Sequence, residues 1–274
     1  MIIFSCLKKE FDQFVEKRVI SNQVYDAYKE KMGKKTKLNQ IKSWANSLPM
    51  MYPLLKDLPE NVGITIEFNI PLTSKRVDFI VSGYDKNHNP VILLFELKQW
   101  QNAVDIKNQD AVVKTIFLDR EQKSLHPSYQ VSCYVELLLN YNQFIEENQV
   151  QVIPFVYLHN YHFKENDDLL LRKFKKYYLK APIYTQDDEE QLKNMITRFI
   201  VFGDDAKIIK SIDQSKTKPN KKLLDSIEEM LQDKKEYTLL DEQKIIAETI
   251  KKEVKNSFAT NQKKVIIVKG GPGT

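Results

Sequence analysis

Apolar and polar positions alternate between Val62 and Pro71, with Ile64, Ile66, Phe68 and Ile70 set among Thr65, Glu67 and Asn69. A period of two predicts a strand with one buried face, and Pro71 ends it. Arg76 to Gly83 predicts a second strand, with Val77, Phe79 and Val81 on one face and Arg76, Asp78 and Ile80 on the other. The run from Asp85 to Pro90 is a turn cluster. Val91 to Leu97 is apolar almost throughout, which predicts a central strand covered on both faces. A polar stretch follows. Pro127 then fits the first turn of a helix that runs to about Asn142, with Val131, Tyr134, Val135 and Leu138 inward. Val150 to Leu158 is a fourth strand, and residues 166–203 hold helical pieces with a short strand at Phe199 to Phe202.

The first sixty residues read as helical. Phe11, Phe14, Val15 and Arg18 share a face, Ser21 caps a second helix that ends at Gly33, and Ile41, Trp44 and Leu48 stand at helical spacing. Pro49 and Pro53 break the run into short pieces. Beyond residue 214 come a basic linker at Ser215 to Lys222 and a short amphipathic helix at Leu223 to Leu231. A helix over Lys244 to Asn256 and a β-branched strand over Lys264 to Val268 follow.

Composition narrows the class. A chain of 274 residues with 42% apolar and 29% charged residues can bury a core and is neither disordered nor fibrous. No apolar run reaches the roughly 20 residues of a membrane span. Two cysteines make no disulfide scaffold, so a cytoplasmic protein with no membrane partner is expected. The net charge of +5 is weak support for a polyanionic partner, because Lys far outnumbers Arg and Asn, Ile and Tyr abound, a pattern of base composition.

Three of the seven glycines, Gly270, Gly271 and Gly273, fall in the last five residues. They follow a predicted strand, as in a phosphate loop of the form G-x-x-x-x-G-K-[ST]. Gly270 fits the first position and residues up to Thr274 fill the variable ones, so the loop stops before its second glycine and its lysine. Backbone amides alone do not complete a nucleotide site, so no ATP hydrolysis is expected of this chain. Residues from Tyr237 onward are expected to pack poorly on the rest and fray, with residues 39–160 compact.

Charge in apolar strands is the sharpest signal. Glu96 and Lys98 stand at i and i+2 in Leu94-Phe-Glu-Leu-Lys98 and so share a face of the central strand. Burying both costs several kcal/mol unless they pair or hold a metal. Asp78 repeats the anomaly on the neighbouring strand. Two carboxylates side by side repel unless a cation lies between them, and hard oxygen donors suit Mg²⁺ or Mn²⁺. The pair His159 and His162 has no third ligand beside it and reads as a strand end, and His126 as a residue leading into the helix at Pro127.

Asp78 followed by Glu96-Leu97-Lys98 resembles the signature of PD-(D/E)XK nucleases, with Val77 in place of the leading proline. Gln130-Val-Ser-Cys-Tyr134 is similar to the Q-x-x-x-Y of the RecB-like branch. The resemblance implies that Asp78, Glu96 and the Leu97 carbonyl hold the metal. It also implies that Lys98 polarises the attacking water, that Gln130 and Tyr134 orient the lysine and the phosphate, and that Glu67 is a further acidic helper. Upstream of the loop, Leu239-Leu-Asp-Glu-Gln243 resembles the adenine-reading motif of superfamily-one helicases, with Gln243 on the adenine. The order of motifs is similar to that of bacterial nuclease–helicase fusions of the Schlafen group three-like kind.

The implied protein is an α/β chain with a PD-(D/E)XK, restriction-endonuclease-like core, a mixed four-stranded sheet flanked by helices. An N-terminal helical region spans 1–60, the nuclease-like domain 61–214 (its core from about 39), a linker with a short helix 215–236, and the truncated start of a P-loop helicase domain 237–274. The expected activity is Mg²⁺-dependent hydrolysis of nucleic acid, DNA before RNA, with ATP used only by a longer protein carrying the helicase domain. Two alternatives stay open: a nuclease-like module that binds nucleic acid or a partner without cutting, and a scaffold for an ATPase.

Overall fold

The computed structural model describes residues 1–70, 73, 75–117, 120–219, 239 and 241–270. The chain opens not with a helix but with strand β1 (Ile2–Leu7). Helices α1 (Lys8–Glu16), α2 (Ile20–Met32) and α3 (Leu38–Ser47) follow, then a 3₁₀ turn (Leu48–Met51) and the short α4 (Tyr52–Leu55). Ser21 lies inside α2 rather than capping it, and α2 ends at Gly33 in the left-handed region (φ 63°), where a residue without Cβ carries no strain.

Three antiparallel strands come next: β2 (Gly63–Asn69), β3 (Arg76–Tyr84) and β4 (Pro90–Lys98). The polar stretch after β4 forms a second, three-stranded sheet of β5 (Val104–Asp105), β6 (Val112–Phe117) and β7 (Arg120–Leu125). Helix α5 (Pro127–Tyr141) and the short α6 (Gln143–Glu147) then lead to β8 (Gln151–Leu158), which pairs parallel with β4. Among the described residues, the α-helices and strands that follow, apart from short 3₁₀ turns, are α7 (Lys175–Tyr178), β9 (Ile183–Thr185), α8 (Glu189–Phe199), β10 (Phe202–Gly203), α9 (Lys207–Gln214) and α10 (Asp241–Thr260).

The large sheet runs β1-β2-β3-β4-β8-β9, with β10 on the end of β3. It is a mixed sheet flanked by helices, the predicted strands β2, β3, β4 and β8 forming its middle. Alternation along β4 divides the core: Val91, Leu93, Phe95 and Leu97 pack toward α1–α4 and α8, while Ile92 and Leu94 pack toward α5 and α9. Both faces are covered, which explains the unbroken apolar run.

One strand departs from simple alternation. Ile64 and Ile66 lie in the α1–α4 cluster, but Phe68 and Ile70 lie in the α5 cluster, as does Val77 opposite Phe68. The strand changes face at Glu67, whose φ of 58° is left-handed. Such a conformation in a residue with a side chain costs about 1–3 kcal/mol and persists only where surrounding contacts impose it.

Helix α10 lies across the β6–β7 hairpin. Glu248, 4% exposed, accepts the Asp110 backbone N–H at 2.9 Å, and Lys244 reaches the Asp110 carboxylate at 3.1 Å. Glu242 pairs with Lys75 at 2.7 Å, and the Tyr129 hydroxyl donates to the Leu239 carbonyl. The expectation of poor packing beyond Tyr237 therefore does not hold for residues 241–260. It holds for Val265 to Val268, which join no strand and stand 42–90% exposed, so the predicted strand is absent there. The predicted helix at Leu223 to Leu231 lies outside the described residues. Among the described residues no helix is long and apolar enough to cross a membrane.

Candidate active site

A cavity of about 360 Å³ opens where the ends of β3 and β4 meet α3, α5 and the β7 edge. Asp78, Glu96, Leu97, Lys98 and Gln130 all line it, as does Glu67. The sheet register brings them there. Phe79 stands opposite Phe95, so the next step outward sets Asp78 against Glu96. The Leu97 N–H donates to Asp78 Oδ2 at 2.9 Å. Burial pushes the Asp78 carboxyl above its ordinary range, while Lys98, the Leu97 N–H and Arg76 oppose that rise.

Glu96 is 2% exposed, and Lys98 Nζ lies 2.6 Å from its Oε1. The same ammonium donates to Gln130 Oε1 at 3.1 Å and lies 5.5 Å from the centre of the Trp100 ring. Gln130 Nε2 in turn donates to the Tyr134 hydroxyl at 2.9 Å. Gln130 and Tyr134, one helical turn apart on α5, thus fix the amide so that its oxygen faces Lys98. Tyr134 is buried behind Gln130 and is reached through it.

Glu67 is the buried third acid. Its Oε1 accepts from Trp44 Nε1 at 2.7 Å and from Gln40 Nε2 at 2.9 Å, and Arg76 pairs with its Oε2. Burial first, then the neighbouring Asp78 charge, push its carboxyl up to about 7, against the pull of Arg76, Trp44 and Gln40. These partners fix the carboxylate of Glu67, the residue whose backbone is left-handed.

Some of the lining escaped the sequence reading. Gln40, Ser43, Trp44 and Ser47 form one stripe of α3 along the cavity. Their spacing of i, i+3, i+4 and i+7 is the signal, since a helix with Trp among polar residues on its inward face is lining something polar. Ser47 Oγ accepts from Gln99 Nε2 at 3.0 Å and lies 3.0 Å from His159 Nε2. His159 is therefore a buried neighbour of this wall. His162 is exposed and pairs with Asp187. His126 is buried against Phe174, its Nε2 on the Leu169 carbonyl.

Of the residues assigned to a nucleotide, Gln243 sits in the first turn of α10, and Gly270 lies in irregular chain beyond that helix. Gly271, Gly273 and Thr274 lie outside the described residues. Among the described residues no cluster of three or more His, Cys, Asp or Glu is spaced to hold an ion. The oxygens in the cavity that could hold a cation are the carboxylates of Asp78 and Glu96 and the backbone oxygen of Leu97. These are hard oxygen donors, and they fit Mg²⁺ or Mn²⁺ in kind. No family model, curated protein or solved structure matches the chain.

Proposed function

We propose that this cavity is the site of a metal-dependent nuclease that hydrolyses phosphodiesters of nucleic acid, DNA in the first place. The observation that carries the reading is the continuous set Asp78–Leu97 and Glu96–Lys98–Gln130–Tyr134 around one solvent-accessible cavity. Asp78, Glu96 and the Leu97 carbonyl would hold Mg²⁺ or Mn²⁺, which when bound polarises the phosphate and lowers the pKa of a water. Lys98 places a fixed positive charge where negative charge grows on the phosphoryl oxygens during attack. Gln130 keeps that ammonium aimed into the cavity, and Tyr134 keeps Gln130 from turning. A site closed by its own ion pair also suits a nuclease-like module that binds without cutting, since Glu96 is already engaged by Lys98. Membership of a longer, ATP-dependent nuclease–helicase rests on the sequence resemblance at Gln243 and Gly270 to Thr274.

The test is incubation of the protein with single- and double-stranded DNA and RNA in Mg²⁺, Mn²⁺ or EDTA. Cleavage is expected with either metal, and none with EDTA or with Glu96→Ala. Binding without cleavage under every metal condition selects the non-catalytic module instead.

A further inference from the structure

We infer that the basic turn between α2 and α3 is the track on which the phosphate backbone of a polynucleotide approaches the cavity, an inference that rests on the nuclease reading of that cavity. A second cavity, of about 480 Å³, adjoins the first, and Gln40 and Ser43 of α3 line both. Its charged lining is Lys34, Lys35, Lys37 and Arg76, with no carboxylate. Arg76 is already answered by Glu67 and lies 5.4 Å from the centre of the Tyr28 ring. The three lysines are exposed. Among the described residues none of them joins an ion pair.

Folding does not explain them. Gly33 ends α2, Lys37 precedes α3, and Lys34, Lys35 and Lys37 are exposed. Three like charges within four positions repel one another, so their gathering favours an anionic occupant over the empty state.

The first cavity supplies the complementary need. Its charged lining is Glu67, Asp78 and Glu96 with Lys98, whose ammonium is already paired with Glu96, so without a metal it offers a phosphodiester little attraction. Positive charge beside it would supply the attraction that holds a strand across it. A nucleic acid meets both requirements, because its evenly spaced phosphates can occupy the lysine turn while one of them lies in the acidic cavity. An acidic peptide satisfies the turn but offers the inner cavity no phosphorus centre.

The experiment measures binding of a fluorescent 20-nucleotide single-stranded DNA in EDTA across a salt series, with the full 274-residue protein. Lys34→Ala/Lys35→Ala/Lys37→Ala is expected to weaken binding roughly tenfold or more near 0.1 M salt. It should lower the slope of log K against log salt by about 2, at ~0.7 per phosphate contact on a single strand. A control, Lys180→Ala/Lys210→Ala/Lys255→Ala, removes equal charge outside the cleft and should change little. With Mn²⁺ the loop variant should show a raised KM and an unchanged kcat. Unchanged affinity and slope, with wild-type cleavage intact, overturn the track and leave the nuclease reading standing. Lost affinity in the loop variant of a protein that cuts nothing supports the track and removes the nuclease reading. Binding of poly-glutamate in preference to DNA overturns the track.

Discussion

Lys98 stands where a carboxylate, an amide and an aromatic face converge, and it is the one cation among the described residues that line the cavity. It pairs with Glu96 and acts on Asp78 through its charge without being an oxygen donor, so its loss should separate chemistry from metal affinity. Lys98→Ala is expected to lower kcat by at least about 100-fold, the scale of removing one charge-stabilising donor, while calorimetry with Mn²⁺ gives nearly wild-type affinity. Asp78→Ala is expected to lose the Mn²⁺ heat itself; equal heats for Asp78→Ala and wild type would remove Asp78 from the site. Away from the cavity, His126 sets an acid limit on stability. Burial lowers its pKa from 6.5 to about 4, and among the described residues its Nδ1 has no hydrogen-bond partner. Between those values the unfolded chain takes up a proton that the folded chain refuses. Stability is thus retained above pH 6.5 and falls as pH drops toward 4, by on the order of 3 kcal/mol from this group. Denaturant titrations of wild type and His126→Gln at pH 7 and pH 4.5 check it: the wild type should lose more. The acids and the lysine were legible in the sequence because charge inside an apolar strand is costly. The bonds of Glu67 to Trp44 and Gln40 were not, because no local rule links residues more than twenty positions apart.

At the scale of elements, alternation and the 3.6-residue period found β2, β3, β4 and α5, which carry the predicted site residues, and β8 beside β4. What they missed has physical causes. β1 is short and borrows its stability from β2 across the sheet, with Phe4 opposite Ile66. β7 is polar along most of its length, because a hairpin beside the main sheet needs little buried surface. Val265 to Val268 has every strand property except a partner strand, and a strand without one leaves its backbone groups unpaired. β4 is the opposite case, buried along both faces, and Leu94 is fully buried in its middle. Leu94→Ala is expected to cost about 2–5 kcal/mol from lost burial and the cavity left behind. Measured by chemical denaturation, a loss below about 1 kcal/mol would show that the centre of the sheet can collapse around the gap.

For the whole molecule, the position of α10 matters most. The helix carrying Gln243 is held to the β6–β7 hairpin, and Gln122 and Ser124 of that hairpin line the cavity. Glu248 is the central attachment, engaging the Asp110 N–H together with Lys244 and Lys251. Glu248→Ala leaves the Asp110 N–H without its acceptor, at a cost of about 1–3 kcal/mol. Hydrogen exchange is the direct measure. Residues 241–260 should exchange faster in the variant, β3 and β4 should stay slow in both proteins, and residues 262–270 should be fast in both. Equal protection of 241–260 in the two proteins would mean that apolar contacts alone hold the helix.

The parallel pairing of β4 with β8 also bears on how the chain is made. Lys98 and Leu158 close their two strands, so 60 residues must be synthesised after β4 is complete before its last partner exists. At roughly 5–20 residues per second that interval is about 3–12 s. During it β2 and β3 can already pair with β4 on one side, while the other side presents Val91 to Phe95 as an open apolar edge. Such an edge is a template for pairing with another copy. The nascent chain is therefore most exposed to aggregation between the emergence of β4 and that of β8, and a holdase acting on ribosome-bound chains should be needed in that interval and dispensable after it.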